Sequence, residues 1–403
     1  MYFHKNLVNA VINGLDLIII EGKYADKVIF KLLKSNSKWG SRDRAFIAET
    51  IYEIIRWKRL YNEIIISINP NKENNSFLLF IVWILIKGYN PPSWINYKNI
   101  GHSDVRVIFK KLIKIRKFRH SIPDWIDKIG VKSFGEKKWD KELIALNEIA
   151  KVVIRTNRLK IKPEELKKCL ESENVNTYAN EEFPDALILE KRSNIFLTKS
   201  FKKGFFEVQD ASSQCVAYFT GVKPGMRVID ACAGAGGKSL HLSALMENKG
   251  KIISLDIKSN KLNELRKRAK RANSFNIETK LINNSKVIKK LHNSADIVLI
   301  DAPCSGIGVL KRNPDAKWKL SLDFYERTII IQKEILFKYS KMVKPGGLLV
   351  YATCSIFPDE NENQIRNFLI SDYGKKFKFI KEKVIMPSIS SFDGFYMCKL
   401  KRI

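Results

Sequence analysis

The chain is poor in the residues that build several common kinds of site. Its 403 residues include only five histidines and six cysteines. No two of those cysteines form a C-x-x-C pair, so no metal site is expected. Six cysteines (Cys169, Cys215, Cys232, Cys304, Cys354 and Cys398) are also too few for a disulfide scaffold in a chain this long. Long apolar runs are missing as well. The longest, Phe77 to Ile86, is half of what a membrane span needs and reads as a buried helix. The short run Leu17–Ile20 is closely followed by charges and lacks the layout of a signal peptide. These absences point to a soluble, cytoplasmic protein with no membrane partner. A G-x-x-x-x-G-K-[ST] phosphate loop is absent, which argues against an ATPase. Acidic residues are scarce too, 42 against 72 Lys and Arg, for a net charge of +30. So basic a chain suits a polyanion such as nucleic acid, although Lys-rich composition throughout would give the same sum.

Apolar residues make up 45% of the sequence, enough for two or three domains with real cores. Residues 1–145 read as helical: Leu7, Val11, Leu15 and Ile18 recur at helical spacing, as do Ile47, Ile51, Ile54 and Ile55 in a segment that Ser41 can cap. Arg106 to His120 carries seven Lys and Arg among apolar residues and reads as one helix with a basic face, either solvated or turned to RNA. Pro123 marks a break. Residues 146–205 read as a small α/β module, with strands at Val152–Arg155 and Ala186–Leu189 around a helix at Pro163–Leu170. From 206 to 403, apolar strands ending at Val228–Ile229, Ile252–Leu255, Ile297–Ile300 and Leu348–Val350 alternate with helical patterns at 239–247, 258–272 and 324–342. That alternation predicts an α/β fold, a doubly wound and mostly parallel sheet covered on both faces.

Three motifs carry chemistry. Asp230-Ala-Cys-Ala-Gly234-Ala-Gly236-Gly237-Lys238 follows a strand and opens a helix. Such glycines let the backbone turn tightly and approach a ligand, and the helix start offers free N–H groups. Twenty-two residues after Gly234 the next strand ends in Asp256, placed to accept hydrogen bonds from ribose hydroxyls. The combination suits an adenosine-containing cofactor and does not separate a dinucleotide from S-adenosylmethionine. The second motif, Asp301-Ala-Pro-Cys304-Ser-Gly-Ile-Gly308, and the third, Tyr351-Ala-Thr-Cys354-Ser355, each put a cysteine just past a strand end. In an open α/β sheet those ends line the ligand crevice. A lone cysteine is more often a small buried hydrophobe, the reading that suits Cys169 and Cys398. Cys304 and Cys354 lie in turns where packing asks for nothing special.

Two thiols and a carboxylate beside such a cofactor match one chemistry well. Carbon 5 of a pyrimidine is a poor nucleophile until a thiolate adds to carbon 6. An acid near ring nitrogen N3 assists that addition, and a base must later remove the carbon-5 proton so that the thiol can leave.

These motifs, with Phe206-Glu-Val-Gln209-Asp210-Ala-Ser-Ser-Gln214 ahead of them, resemble the Sun/RsmB family of RNA cytosine-carbon-5 methyltransferases. His120-Ser-Ile-Pro-Asp-Trp125 and Arg155-Thr-Asn157-Arg-Leu-Lys160 are similar to further family segments, and the region around Ser41-Arg-Asp-Arg44 resembles a NusB-like RNA-binding domain. The resemblance implies a class I methyltransferase domain over 206–403 that uses S-adenosylmethionine and acts on RNA, rRNA before tRNA. It implies a cofactor loop of Cys232, Ala233, Gly234, Ala235, Gly236, Gly237 and Lys238, with Asp256 on the ribose. It makes Cys354 the nucleophile, Cys304 the residue that assists release, and Asp301 a contact to both cofactor and base. Where the family has an acidic residue for the adenine amine, this chain has Asn284. A DNA cytosine methyltransferase, a tRNA enzyme of the same family and a non-enzymatic RNA-binding assembly factor are the competing readings. Thr353-Cys354-Ser355 and the NusB-like region count against the first, and the intact cysteines, Asp301 and glycine loop count against the third.

Overall fold

The computed structural model describes residues 3–95 and 101–403, which divide into two compact units, 1–148 with 310–322, and 149–309 with 323–403. The first unit is helical. Helices Lys5–Ile19, Ser41–Arg56, Lys58–Ile68 and Ser76–Ile86 bury a continuous core that includes Val11, Leu15, Ile47, Ile51, Ile54 and Phe80. Ser76–Ile86 is apolar on nearly every side, because its neighbours cover nearly all of it. Ser41 is the first helical residue and not the cap; Gly40 holds that position, its N–H bonded to the Asp43 carboxylate at 3.1 Å.

The expected single helix over 106–120 is two helices, His102–Leu112 and Arg116–Arg119, with an extended residue at Ile115 between them. Its basic face is partly neutralised from within the unit. Arg116 bonds Asp127 at 2.9 Å, Arg119 bonds Asp140 at 2.7 Å, and Lys117 lies 3.6 Å from Asp124. Arg106, Lys110, Lys111 and Lys114 remain as the exposed cations of that stretch.

Residues 310–322, expected within the methyltransferase domain, belong to the helical unit. Lys317 anchors them and is only 2% exposed. Its ammonium donates to Arg56 O at 2.8 Å, Ser121 O at 2.9 Å and Asn147 Oδ1 at 3.0 Å, three acceptors for three N–H groups. Burial, and then the neighbouring Arg56 guanidinium, pull its pKa well below that of a free lysine. Trp318 Nε1 donates to Ile55 O at 2.7 Å, and Asp315 accepts from Ala25 N at 3.0 Å.

The second unit holds two sheets. A small antiparallel one has the order β2-β3-β1-β4, from β1 (Val153–Thr156), β2 (Thr177–Ala179), β3 (Ala186–Leu189) and β4 (Phe206–Val208). The α/β module thus takes Phe206–Val208 from the segment after it, since β4 pairs with β1 and not with the large sheet. The large sheet uses β5 (Arg227–Asp230), β6 (Lys251–Asp256), β7 (Ile277–Leu281), β8 (Ala295–Asp301), β9 (Val343–Thr353), β10 (Phe377–Ile385) and β11 (Phe395–Arg402) in the order β10-β11-β9-β8-β5-β6-β7. β7, β6, β5, β8 and β9 run parallel, while β11 and β10 close the sheet as an antiparallel hairpin. One face packs on helices Leu322–Tyr339 and Glu362–Leu369, the other on Ala211–Thr220 and Gly237–Leu245. Near-continuous apolar strands such as Ile297–Ile300 follow from that double cover. The carboxyl ends of β5, β6, β8 and β9 therefore open on one side, and every motif singled out in this region follows one of them.

Lys317→Met keeps the stem of the side chain but leaves three carbonyl acceptors unpaired. It should destabilise the helical unit by about 2–4 kcal/mol. Denaturant unfolding of the full chain measures this, and a change below about 0.5 kcal/mol would mean that water replaces the ammonium there.

Candidate active site

The turn after β5 is built by two left-handed glycines. Gly234 has φ +54°, with open space where a Cβ would stand, so a ligand can come close to its backbone. Gly236 has φ +84°, and a Cβ there would meet the Leu265 side chain at 2.4 Å. The turn is tied to the next strand end, since the Asp256 carboxylate accepts from Gly234 N and Lys258 N, both at 2.8 Å. Those two bonds aim the carboxylate and leave it further acceptor capacity, the arrangement a ribose diol requires. Asp230, fully buried at the end of β5, bonds Ser239 Oγ at 2.6 Å and keeps Oδ1 without a partner. Burial lifts its pKa to about 7 against the pull of Ser239, with Asp301 adding to the rise.

Arg155 braces this loop from the small sheet and is 2% exposed. It bonds Gly237 O at 2.5 Å and the Gln209 side chain, and burial lowers its pKa to about 10. Asn157 Nδ2 reaches Gly204 O at 2.9 Å and Ala272 O at 2.8 Å. Residue type and spacing alone gave these two no role, since a buried arginine that reads as a strand residue carries no local signal.

Lys238 opens helix Gly237–Leu245 and bonds Asp301 Oδ2 at 2.6 Å. Its ammonium also lies 5.3 Å from the centre of the Phe395 ring. Burial works against the charge, but Asp301, Cys354 and Asp230 outweigh it and raise the pKa. The two cysteines that follow neighbouring strands meet here, with Cys304 Sγ 3.3 Å from Cys354 Sγ. The hydrogen bond to Cys354, then burial, push the Cys304 thiol well above its ordinary value. Cys232 is raised by burial and lies in the glycine turn, which suits a wall and not a nucleophile.

A buried carboxylate holds both cysteine turns. Glu360 accepts from Ser305 N at 2.7 Å, Ser305 Oγ at 2.5 Å and Gln332 Nε2 at 3.1 Å, while Tyr351 OH donates to its backbone carbonyl at 2.8 Å. Asn361 bonds Thr353 Oγ1 at 2.5 Å and Ser355 O at 3.0 Å. Gly308 N reaches Cys354 O at 3.0 Å, and a Cβ at Gly308 would meet that oxygen at 2.7 Å. Asn284 stands past β7 as the cap of helix Ser285–Lys289, its Oδ1 accepting from Lys286 N at 2.9 Å. The structure thus brings Asp301, Lys238, Cys304 and Cys354 together, sets the loop 232–238 against Asp256, and gives Asn284 a capping role at the sheet margin.

A glycine turn after the first parallel strand and acids at the ends of the second and fourth, on this sheet order, define a class I methyltransferase domain. The comparisons agree. Residues 218–401 match the family described as 16S rRNA methyltransferase RsmB/F, and residues 122–196 match a ferredoxin-like domain of RsmF/B-like methyltransferases. The "Probable ribosomal RNA small subunit methyltransferase B" of Bacillus subtilis is 32% identical over 299 residues, covering 70% of this chain and 66% of that protein. The ribosomal RNA small subunit methyltransferase B of Enterobacter sp. (strain 638) is 31% identical, covering 71% and 67%. The solved structure of PH0851 superposes with a TM-score of 0.85 at 25% identity over 100% of both chains. The chain belongs to the RsmB/F methyltransferase family. Its match spans about two thirds of the length of these curated relatives. Among the described residues, no group of three or more His, Cys, Asp or Glu is placed to hold a metal, and no helix is long and apolar enough to cross a membrane.

The buried cluster behind the loop gives a pH test. Asp185 accepts from His241 Nε2 at 2.9 Å and Tyr218 OH at 2.7 Å. Burial pulls His241 down to about 4, with Arg155 adding to the fall and Asp185 opposing it. The folded state thus excludes a proton that the unfolded chain takes up near pH 6.5. The stabilisation is complete above about pH 6.5 and is lost as pH falls toward 4, by roughly 2–3 kcal/mol. His241→Gln should flatten the unfolding free energy over that window, and an unchanged slope would assign the acid sensitivity elsewhere.

Proposed function

We propose that this protein transfers a methyl group from S-adenosylmethionine to carbon 5 of a cytosine in small-subunit rRNA. The observation that carries this reading is the pair of thiols 3.3 Å apart, one of them beside the Lys238–Asp301 ion pair. The loop 232–238 and Asp256 would hold the cofactor, with open space before Gly234 and an aimed carboxylate for the ribose. Bound there, the cofactor supplies an electrophilic methyl group. Asn284, its Oδ1 already accepting one bond, keeps a lone pair for the adenine amine.

The two cysteines divide the remaining work. Cys354 attacks as its thiolate beside the Lys238 ammonium, which Asp301 and then Cys354 and Asp230 keep charged against burial. That thiolate forms a bond to carbon 6, and negative charge develops toward N3, where the Lys238–Asp301 pair can donate a proton. Carbon 5 then carries the electron density that accepts the methyl group. Cys304, whose proton is held tightly while its partner is free, faces the adduct as a thiol and gives that proton to solvent before acting as a base. Its thiolate takes the carbon-5 proton, the C–H electron pair re-forms the C5–C6 double bond as the C6–S bond breaks, Cys354 leaves as a thiolate, and N3 returns its proton to the Lys238–Asp301 pair. The RsmB/F description favours rRNA as the substrate, and the excess of basic residues suits any RNA.

The two thiols should fail differently. Cys354→Ala should abolish methylation and leave no covalent complex with RNA. Cys304→Ala should accumulate a protein–RNA adduct that survives denaturing electrophoresis. An adduct with Cys354→Ala alone would reverse the roles. Bisulfite sequencing of rRNA and tRNA from cells with and without the gene identifies the substrate, and a site lost only from tRNA would overturn the rRNA reading.

A further inference from the structure

The second unit carries a cleft that the proposed chemistry does not use. It encloses about 430 Å³ between the 182–184 turn, helix Ala211–Thr220 and the strand pair β10–β11. Its walls include Phe183, Tyr218 and Phe219, with Lys381 and Lys383 from the edge strand and the carboxylates Glu182 and Glu382, the latter accepting from Tyr396 OH at 2.7 Å. Aromatic faces interleaved with lysines are the means by which proteins hold unstacked bases and their phosphates.

Two further features point to a ligand. Lys381 stands directly opposite Lys399 in the β10–β11 register, and both ammonium groups lie over Phe219, at 5.2 and 5.3 Å from the ring centre. Like charges directly across a sheet repel, and among the described residues neither lysine is paired with a carboxylate. An anion at that spot would relieve the repulsion. The second feature is Gln214, which lines the cleft and is 2% exposed. Its Nε2 donates to Gln209 O at 3.0 Å, while its Oε1, buried in this state, has no partner. A buried amide oxygen without a donor is costly, and the exocyclic amine of a base can supply one.

The position of the cleft fits a nucleic-acid path. Met397 in its wall and Phe395 beneath Lys238 lie on the same face of β11, two residues or ~7 Å apart. In the β11–β9 register Met397 is opposite Ala352, two residues before Cys354.

We propose that this cleft holds an unstacked nucleotide of single-stranded RNA flanking the target cytosine. The base lies against Tyr218 and Phe219, its amine on Gln214 Oε1, and the phosphate between Lys381 and Lys399. The inference rests on RNA being the substrate, as proposed above. Its test uses the full chain with Phe219→Ala and Lys381→Glu, assayed on a transcribed small-subunit rRNA fragment. Each should raise KM for RNA by about five-fold or more, with kcat at saturation and cofactor affinity unchanged. In parallel, a single-stranded oligoribonucleotide carrying 5-iodouridine should photocrosslink to the 211–220 helix or β10 in the unmodified protein, and less so in Phe219→Ala. Unchanged KM in both variants, or crosslinks confined to other elements, would overturn the proposal. So would normal oligonucleotide binding with activity lost only on protein-bearing ribosomal particles, which would make the cleft a protein-docking site. If the unmodified protein methylates no RNA, the proposed function fails, while the crosslink still decides the cleft.

Discussion

The candidate active site depends on a carboxylate that belongs to neither cysteine turn. Glu360 is fully buried and spends its oxygens on the Ser305 N–H, the Ser305 hydroxyl and Gln332. Ser305 follows Cys304 directly, and the Tyr351 hydroxyl that bonds the Glu360 backbone comes three residues before Cys354. One residue thus ties the end of β8 to the end of β9 and fixes the distance between two sulfurs that lie 50 positions apart. Burial raises its pKa, and the hydrogen bonds from Ser305, Ser355 and Gln332 oppose that rise. Around that staple the other groups take their positions. Lys238 comes from the helix after β5, Asp301 from the end of β8, and Phe395 from the neighbouring antiparallel strand.

Much of this was legible in the sequence because it is local. The glycine turn, the Asp256 strand end and the two cysteine turns each announce themselves within a few residues, and parallel topology carries them to one side. The helix at 76–86 was readable for the same reason, as one unbroken apolar run. The elements that escaped notice are those whose identity depends on distant partners. β10 reads as Phe-Lys-Phe-Ile-Lys-Glu-Lys-Val-Ile and exposes most of its length, so neither strand alternation nor an apolar run marks it. Glu360 and Lys317 were invisible because charged residues are expected on the surface, and only the finished fold supplies the donors and acceptors that let them be buried. The 106–120 segment erred in the other direction. Its basic pattern was real, but three of its seven cations are answered by Asp124, Asp127 and Asp140 from the next two helices, a pairing that sequence spacing does not reveal.

The loop brace has a similar logic. Arg155, Asn157 and Lys160 stand on the small sheet or just after it. Their bonds to Gly237, Ala272 and Arg271 go to backbone carbonyls of the large domain. Contacts to carbonyls place no demand on the side chains at the far end. The module can hold the glycine turn 232–238 and the end of helix Ser259–Ala272 through their backbones.

Lys317 makes the helical unit discontinuous in sequence, with a consequence for how such a chain can be inherited. The backbone passes from one unit to the other at 148, returns at 309 and leaves again at 322. A gene fusion or deletion at a single point therefore cannot exchange the helical unit cleanly. Removing residues 1–148 strands an ammonium, an indole and a carboxylate whose partners, Arg56 O, Ile55 O and Ala25 N, leave with the deleted part. The helical unit must be gained, lost or swapped together with its own thirteen-residue segment 310–322, so this architecture resists modular shuffling.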